Sequence, residues 1–421
     1  MRLNVTSEIG RLKSVLVHLP GREIDLMVPP MMAQLLFDDI LYGQVAREEH
    51  RRFQQLIRFV ADEVLDLQDL LEEIFEDEDA REEIVRDLGK RNRLSRRLVN
   101  KLLAEPAGAL AEVLIAGIAR ETVSGELPQF DLYPIPNLFF TRDPQIVLGD
   151  RVVVSSMATL ARRRESLISK YVFEYHPRFR DAGFWVDFME SEPERPMPRS
   201  VPTLEGGDVI VPRRDLLLVG ITERTNKAGV DALMRSLKNA NAGVETVIIV
   251  DIPRARSFMH LDTIFTIINR HECLIYPPVI LPSGSQAAKV TMVDLTKKRG
   301  LAMTEQKSLL GALKKKGIDL EPIYCGGQSA VDQQREQWTD GANAFALAPG
   351  IILLYERNVR TAEALHKQGY HIVYEDDLLL GRTELETWTD KKYALQIAGN
   401  ELSRARGGPR CMTMPLERED L

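Results

Sequence analysis

Apolar and polar positions follow two registers along this chain. Short apolar runs bounded by glycine, proline or acidic turns read as strands; stretches with apolar residues three and four apart read as helices. Residues 14–19, Ser-Val-Leu-Val-His-Leu, predict a first strand ended by Pro20-Gly21. From Ala46 to about Ala61, Phe53, Leu56, Ile57 and Val60 fall at helical spacing, and Val64-Leu65-Asp66-Leu67 predicts a second strand. Strand signals then vanish over residues 70–122, where an acidic block (72–79) runs into a basic one (90–97) among scattered Leu, Ile and Val. That pattern predicts a helical bundle with solvated charged faces, inserted between two parts of one body, 1–69 and 123–421. The basic block has no aromatic residues and is offset by the neighbouring acids, which weakens an RNA-binding reading.

After Pro128 a strand, a turn, a second strand and a helix recur. The first unit has Gln145-Ile146-Val147-Leu148, the turn Gly149-Asp150, then Val152-Val153-Val154-Ser155 and a helix from about Thr159. The second has Asp208-Val209-Ile210-Val211 and Leu216-Leu217-Leu218-Val219, with Thr222 as the expected cap of the following helix. The third has Thr263-Ile264-Phe265-Thr266 and Cys273-Leu274-Ile275-Tyr276; the fourth has Ala344-Phe345-Ala346-Leu347 and Ile351-Ile352-Leu353-Leu354. Such ββα units cannot cover their own apolar faces, and radial packing would cover them. The strands near Val15 and Met412 would complete a fifth unit. The fold class expected is α/β, a five-bladed pseudo-symmetric propeller of ββα-type units with an inserted helical bundle.

Composition narrows the partners. The 421 residues carry a net charge of −7, so nothing favours nucleic acid or an anionic membrane surface. The N-terminus lacks the apolar core of a signal peptide, and no run approaches a membrane span. Three widely separated cysteines form neither a disulfide framework nor a metal-ligand spacing, which points to a reducing, cytoplasmic compartment.

The polar signatures occupy one phase, just ahead of the first strand of each unit. They are Asn137-Leu138-Phe139-Phe140-Thr141-Arg142-Asp143-Pro144, Glu205-Gly206-Gly207-Asp208, His260-Leu261-Asp262-Thr263 and Asp340-Gly341-Ala342-Asn343, with Cys411 at the head of the last strand. Equal phase in a radial array means one end of a central channel. Each motif alone has a structural reading: a turn opener at Asp143-Pro144, a flexible turn at Gly206-Gly207, a satisfied His–Asp pair, a small apolar cysteine. Together they favour a site. His260 and Asp262, at i and i+2, are expected on one strand face. Asp143 and Asp262 suit a planar guanidinium. A Cys411–His260 couple suits attack on its carbon, with Glu205 orienting the histidine and holding it protonated. The guanidinium charge of Arg406 and Arg410 is expected to favour the thiolate. Arg162, Arg224 and Arg406 are candidates for a substrate carboxylate, against ordinary surface roles.

At these residues the chain resembles the arginine deiminases of the guanidine-modifying (pentein) superfamily. The resemblance extends to Ser7-Glu8-Ile9-Gly10, His18-Leu19-Pro20-Gly21, Leu36-Phe37-Asp38-Asp39 and Arg406-Gly407-Gly408-Pro409-Arg410-Cys411. It implies hydrolysis of L-arginine to L-citrulline and ammonia, with L-arginine and water as the small-molecule partners and without metal or organic cofactor. It implies that Cys411 is the nucleophile, His260 the general acid/base, Glu205 its partner, and Asp143 and Asp262 the guanidinium clamps. Asn137, Phe140, Arg162, Arg224 and Arg406 match the substrate-positioning set; Asp208 is grouped with them, and a homo-oligomer (dimer or tetramer) is expected. Ala405 departs from the expected glycine, and residues 281–330 resemble the family less. Three alternatives stay open. They are a related hydrolase of agmatine or methylarginine, a metal-dependent hydrolase using His260, Asp262, Asp208 and Glu205, and a non-catalytic arginine-binding protein.

Overall fold

The computed structural model describes residues 2–121, 127–190, 201–297 and 300–421. The expected end of the helical insert, at Thr122 and Val123, lies outside them. Within the described residues the fold is mixed α/β, its strands form six separate sheets, and none closes on itself. No described helix is long and apolar enough to cross a membrane.

Five of the sheets share one core arrangement: a central strand with an antiparallel neighbour on one side and a parallel neighbour on the other. Arg151–Val154 lies between Gln145–Leu148 and Phe184–Asp187. Leu216–Ile221 lies between Val209–Arg213 and Thr246–Asp251. Glu272–Ile275 lies between Phe265–Asn269 and Glu321–Tyr324, and Ile351–Tyr355 between Phe345–Ala348 and Lys392–Ile397. In the remaining sheet Leu12–Val17 is central, with Met414–Arg418 antiparallel and Glu63–Asp66 parallel. This unit is therefore assembled from two distant parts of the chain, as the sequence pattern implies.

The repeating unit is ββαβ rather than ββα. A parallel neighbour requires a crossover, and helices such as Gly43–Ile57, Arg163–Tyr175 and Lys227–Asn239 supply it. The central strands are apolar over most of their length because both their faces are covered; all five residues of Ile351–Tyr355 are buried, while Lys13 and Ser14 interrupt Leu12–Val17. Residues 281–330 add a hairpin, Lys289–Asp294 with Ala302–Gln306, that docks on Thr246–Asp251 and widens the neighbouring unit's sheet. The cap of Lys227–Asn239 is Asn226, whose side chain accepts from Gly229 N, and not Thr222.

The segment after Glu63–Asp66 is helical: Leu67–Phe75, Glu78–Arg91, Arg96–Leu103 and Ala107–Ala116. Asp66, Asp77 and Ser95 cap the first three through backbone N–H groups. Their apolar stripes, including Leu70, Ile74, Leu88 and Leu114, share a buried core with Leu16, Val152 and Ile168 of the sheets and the helix behind them.

Candidate active site

Ahead of the antiparallel hairpin in each unit the chain makes a tight turn closed by an i to i+3 backbone hydrogen bond. The donors and acceptors are Asp143 N to Phe140 O (3.3 Å), Asp208 N to Glu205 O (3.1 Å), Thr263 N to His260 O (3.2 Å), Asn343 N to Asp340 O (2.9 Å) and Thr413 N to Arg410 O (3.2 Å). The expectation that His260 and Asp262 share a strand face is corrected here: Leu261–Thr263 is a single 3₁₀ turn. Within it His260 reaches Glu205 and Asp143, whereas Asp262 reaches Arg410 and Cys411. Gly207 is required by closeness, since a Cβ there would lie 2.7 Å from the His260 ring.

The turns bring Asp143, Glu205, His260, Asp262 and Cys411 into one buried cluster. His260 Nε2 lies 2.9 Å from Glu205 Oε2, and Nδ1 lies 3.8 Å from Asp143 Oδ1. Cys411 Sγ lies 3.9 Å from Asp262 Oδ2. The Cys411 backbone is pinned on both sides: its N–H donates to Asn343 Oδ1 (3.1 Å), and its carbonyl accepts from Arg142 N (3.0 Å). Asp143 Oδ2 accepts from Arg162 Nη1 at 2.9 Å, and Asp262 Oδ2 accepts from Arg410 Nη1 at 2.8 Å. The other oxygen of each clamp, Asp143 Oδ1 and Asp262 Oδ1, is buried without a hydrogen-bond partner.

Electrostatics set the protonation states. Burial alone would lower the His260 pKa, but the charges of Asp143 and Asp208 and the bond to Glu205 outweigh it and hold it up at about 10. Burial would raise Glu205, yet the bond to His260 and the charge of Arg224 bring it down to about 2. The thiol of Cys411 is pushed well above its ordinary value, first by burial and then by Asp262, Asp143 and Asp340. The expected thiolate-favouring role of Arg410 and Arg406 therefore fails in the free protein. Arg410 is spent on Asp262 and on a two-pronged bond to Glu8 (both 3.1 Å). Arg406 lies over the Trp338 ring, 3.6 Å from its centroid, and donates to the carbonyls of Arg256 and Ser257.

The remaining predicted residues fall as follows. Asn137 is buried and donates to Leu35 O (2.8 Å). Phe140 packs so tightly on Gly407 that a Cβ there would sit 2.2 Å from its ring. Arg162 grips Glu165 with Nε and Nη2 and also faces Glu205 at 3.6 Å. Arg224 contacts Met259 Sδ, and its Nη1 is buried without a partner. Asp208 accepts from Leu261 N (2.9 Å) and from the Thr222 hydroxyl (2.8 Å), so it ties two turns together. Sequence reasoning gives no partner to Glu8, Glu165, Asn343 or Arg410. Glu8 and Asn343 lie in recognisable motifs, so the signal exists, but the partner of each is far away in the chain.

Asp143, Glu205 and His260 offer possible ligand atoms within 4.8 Å of one another. His260 directs one nitrogen at each acid, an arrangement that pairs the imidazole with both carboxylates without an ion. Of the other residues in the metal-dependent alternative, Asp208 is bound to Leu261 N and Thr222, and Asp262 to Arg410.

The arrangement defines a class first: a mixed α/β protein with a buried thiol, an imidazolium and paired carboxylates. Solved structures of similar fold include an amidinotransferase, SxtG of Microseira wollei (TM-score 0.56, 14% identity, 100% of this chain and 98% of that one). Another is a mutant of AgrE in binary complex with L-arginine (TM-score 0.53, 15% identity, 98% of this chain and 40% of that one). The sequence model described as arginine deiminase matches residues 33–418. Arginine deiminases of Clostridium perfringens (strain SM101 / Type A) and Staphylococcus aureus (strain JH9) are 37% and 34% identical, over 100% of this chain and 98% and 99% of theirs. The chain belongs to the arginine deiminase family.

Proposed function

We propose that this chain is a hydrolase acting on a C–N bond of a linear amidine, converting L-arginine to L-citrulline and ammonia through a covalent amidino-cysteine intermediate. The observation that carries this reading is the pair of unpartnered oxygens, Asp143 Oδ1 and Asp262 Oδ1, in one buried cluster with the Cys411 thiol. A guanidinium is planar, cationic and rich in N–H donors, and it would satisfy both.

The chemistry follows from the charges. Asp143 and Asp262 are among the groups that raise the thiol pKa. A bound guanidinium offsets them, so the thiol proton passes to solvent when substrate docks, His260 being already protonated. The thiolate attacks the guanidinium carbon, and the His260 imidazolium gives its proton to the departing amine, which leaves as ammonia. A cationic amidino-cysteine and a neutral imidazole remain. Imidazole takes a proton from water as the water oxygen bonds to the same carbon. The carbon–sulfur bond breaks, citrulline forms, and the hydroxyl proton of the collapsing adduct returns to the thiol. Glu205 stabilises the imidazolium at each stage, and the two clamps fix the reacting carbon over sulfur.

Arg162, Arg224, Arg406 and Asn137 are the proposed carboxylate-binding set, with Phe140 as a wall and Asp208 positioning the turns. The unpartnered Arg224 Nη1 and Arg406 Nε support this assignment. They also favour free arginine over agmatine, which lacks the carboxylate, and over a non-catalytic binding role, for which the thiol–imidazolium pair would have no use. The five like units are proposed to stand as blades around one axis, supported by the convergence of residues from their turns on one cluster. Residues 70–122 are proposed as an insert in this body. A cytoplasmic homo-oligomer, dimer or tetramer, is the proposed working form; three free cysteines fit a reducing compartment, and exposed Trp388 and Leu380 are available for a subunit contact. The test is citrulline release from L-arginine set against ureido product from agmatine, in wild type and Cys411→Ala. Preference for agmatine, or turnover by the variant, would sink the proposal.

A further inference from the structure

Next to the reactive cluster lies a second buried group of charges, most of which the proposed reaction leaves unused. It holds three guanidiniums, Arg142, Arg410 and Arg418, and two carboxylates, Glu8 and Asp262. The three arginines are 4%, 1% and 1% exposed. Arg410 takes both carboxylates for itself: Nε and Nη2 donate to Glu8, and Nη1 donates to Asp262.

Arg142 and Arg418 are left with uncharged partners. Arg142 Nε donates to the Arg410 carbonyl at 3.2 Å, and Arg418 donates to the carbonyls of Gly10 (2.7 Å) and Ala346 (2.8 Å). Among the described residues neither forms an ion pair. Arg142 Nη2 and Arg418 Nε are buried without any hydrogen-bond partner. Both guanidiniums lie over one ring, that of Phe345, with Cζ 6.0 and 5.2 Å from its centroid. A ring face attracts a cation but leaves its N–H donors short of a full acceptor. Burial, with the repulsion of Arg410, pulls Arg142 down to about 9 and Arg418 to about 10, so both stay charged at neutral pH. Three cations against two anions leave one buried positive charge in excess, which is costly unless an anion meets it.

We propose that Arg142 and Arg418 bind a small monovalent anion of halide size beside Phe345. One negative charge balances the excess, whereas a phosphate or sulfate would overshoot it. A spherical acceptor takes N–H donors from two directions without the planar geometry a carboxylate demands. Near-complete burial favours a single ion over a metabolite. Arg142 also donates its backbone N–H to the Cys411 carbonyl at 3.0 Å, so an anion that fixes Arg142 braces the backbone of the thiol.

The test has two arms and reads anion binding alone, separately from the proposed turnover of arginine. Crystals of the full chain soaked in sodium bromide are measured for anomalous scattering at the bromine edge. One internal peak in hydrogen-bonding contact with both Arg142 and Arg418 is expected. Peaks at the surface only, an adventitious ion only, would overturn the proposal, as would an internal peak held by other groups. In the second arm, chloride replaces gluconate, which is too large for so buried a site, at constant ionic strength. The Tm should rise saturably, by on the order of 3 °C. Arg418→Met should move the chloride midpoint up about tenfold or more, through loss of one charged hydrogen-bonding group. No saturable rise, or a midpoint unchanged in the variant, would overturn the proposal; should the variant fail to fold, the bromide arm on the wild type decides.

Discussion

The site turns and the helical insert are both dense in charge, and they use it in opposite ways. In the turns, charges are buried and paired across the chain: His260 meets Glu205 from 55 residues away, and Arg410 meets Glu8 from 402. In the insert, charges are mostly exposed and paired locally, as in Glu82 with Arg86 one helical turn on, each more than half exposed. Buried pairs hold one another in place at high cost if either is lost, about 3–5 kcal/mol, whereas an exposed helical pair contributes about 0.3–0.5 kcal/mol. Charge density alone therefore does not mark a site; burial and sequence separation do.

The sharpest way to break this contrast is Cys411→Ala. Citrulline formation should fall at least about 10⁴-fold, with the circular dichroism spectrum unchanged; substantial residual turnover would end the covalent route. Next, Glu205→Gln should cut kcat by about 10²–10⁴-fold, because His260 loses the partner that keeps it protonated. Steady-state rates and a lowered alkaline limit in the pH profile would check it.

Arg410→Gln should act mainly on KM by freeing Asp262 to turn, with a smaller loss in kcat; Glu8→Gln should reproduce it more weakly. Equal loss in both parameters would instead make Arg410 a participant in the chemical step.

Stability against pH separates the regions further. His260 is raised from 6.5 to about 10, so its contribution is complete below pH 6.5 and is lost as pH rises through about 10. Glu8 is lowered from 4.5 to about 2 in spite of burial, through Arg410 and Arg142, so its contribution is present above pH 4.5 and is lost as pH falls through about 2. Denaturant titrations of His260→Gln should lose part of the alkaline dependence, the rest staying with His18, which Asp66 and Glu23 likewise hold up at about 10; those of Glu8→Gln should lose part of the acid one, the rest staying with Glu205. At the small end, Glu82→Ala in the insert should change unfolding free energy by no more than about 0.5 kcal/mol and leave activity alone.

Much of this is legible in the chain. The common phase of the polar motifs points to Asp143, Glu205, His260, Asp262 and Cys411 as one group, because a repeat places equal phases at equal positions. The central strands are legible as short, mostly apolar runs. The parallel third strands are not, since Phe184–Asp187 and Glu321–Tyr324 are short, partly exposed and lie beyond a crossover. The turn at Leu261–Thr263 reads as strand because its residues carry no helix signal, and only the His260 carbonyl bond distinguishes it. Arg410 is legible as a charge beside the thiol, but its direction is not. That direction depends on Glu8, from the opposite end of the sequence.

That same long-range closure gives the protein a built-in clock. The strand that follows the thiol pairs with Leu12–Val17, so this contact joins the most distant parts of the chain and is entropically among the last to form. On refolding, secondary structure and most tertiary fluorescence should recover first, and citrulline production only afterwards. The lag between them would time the final closure directly, with the reaction itself as the reporter.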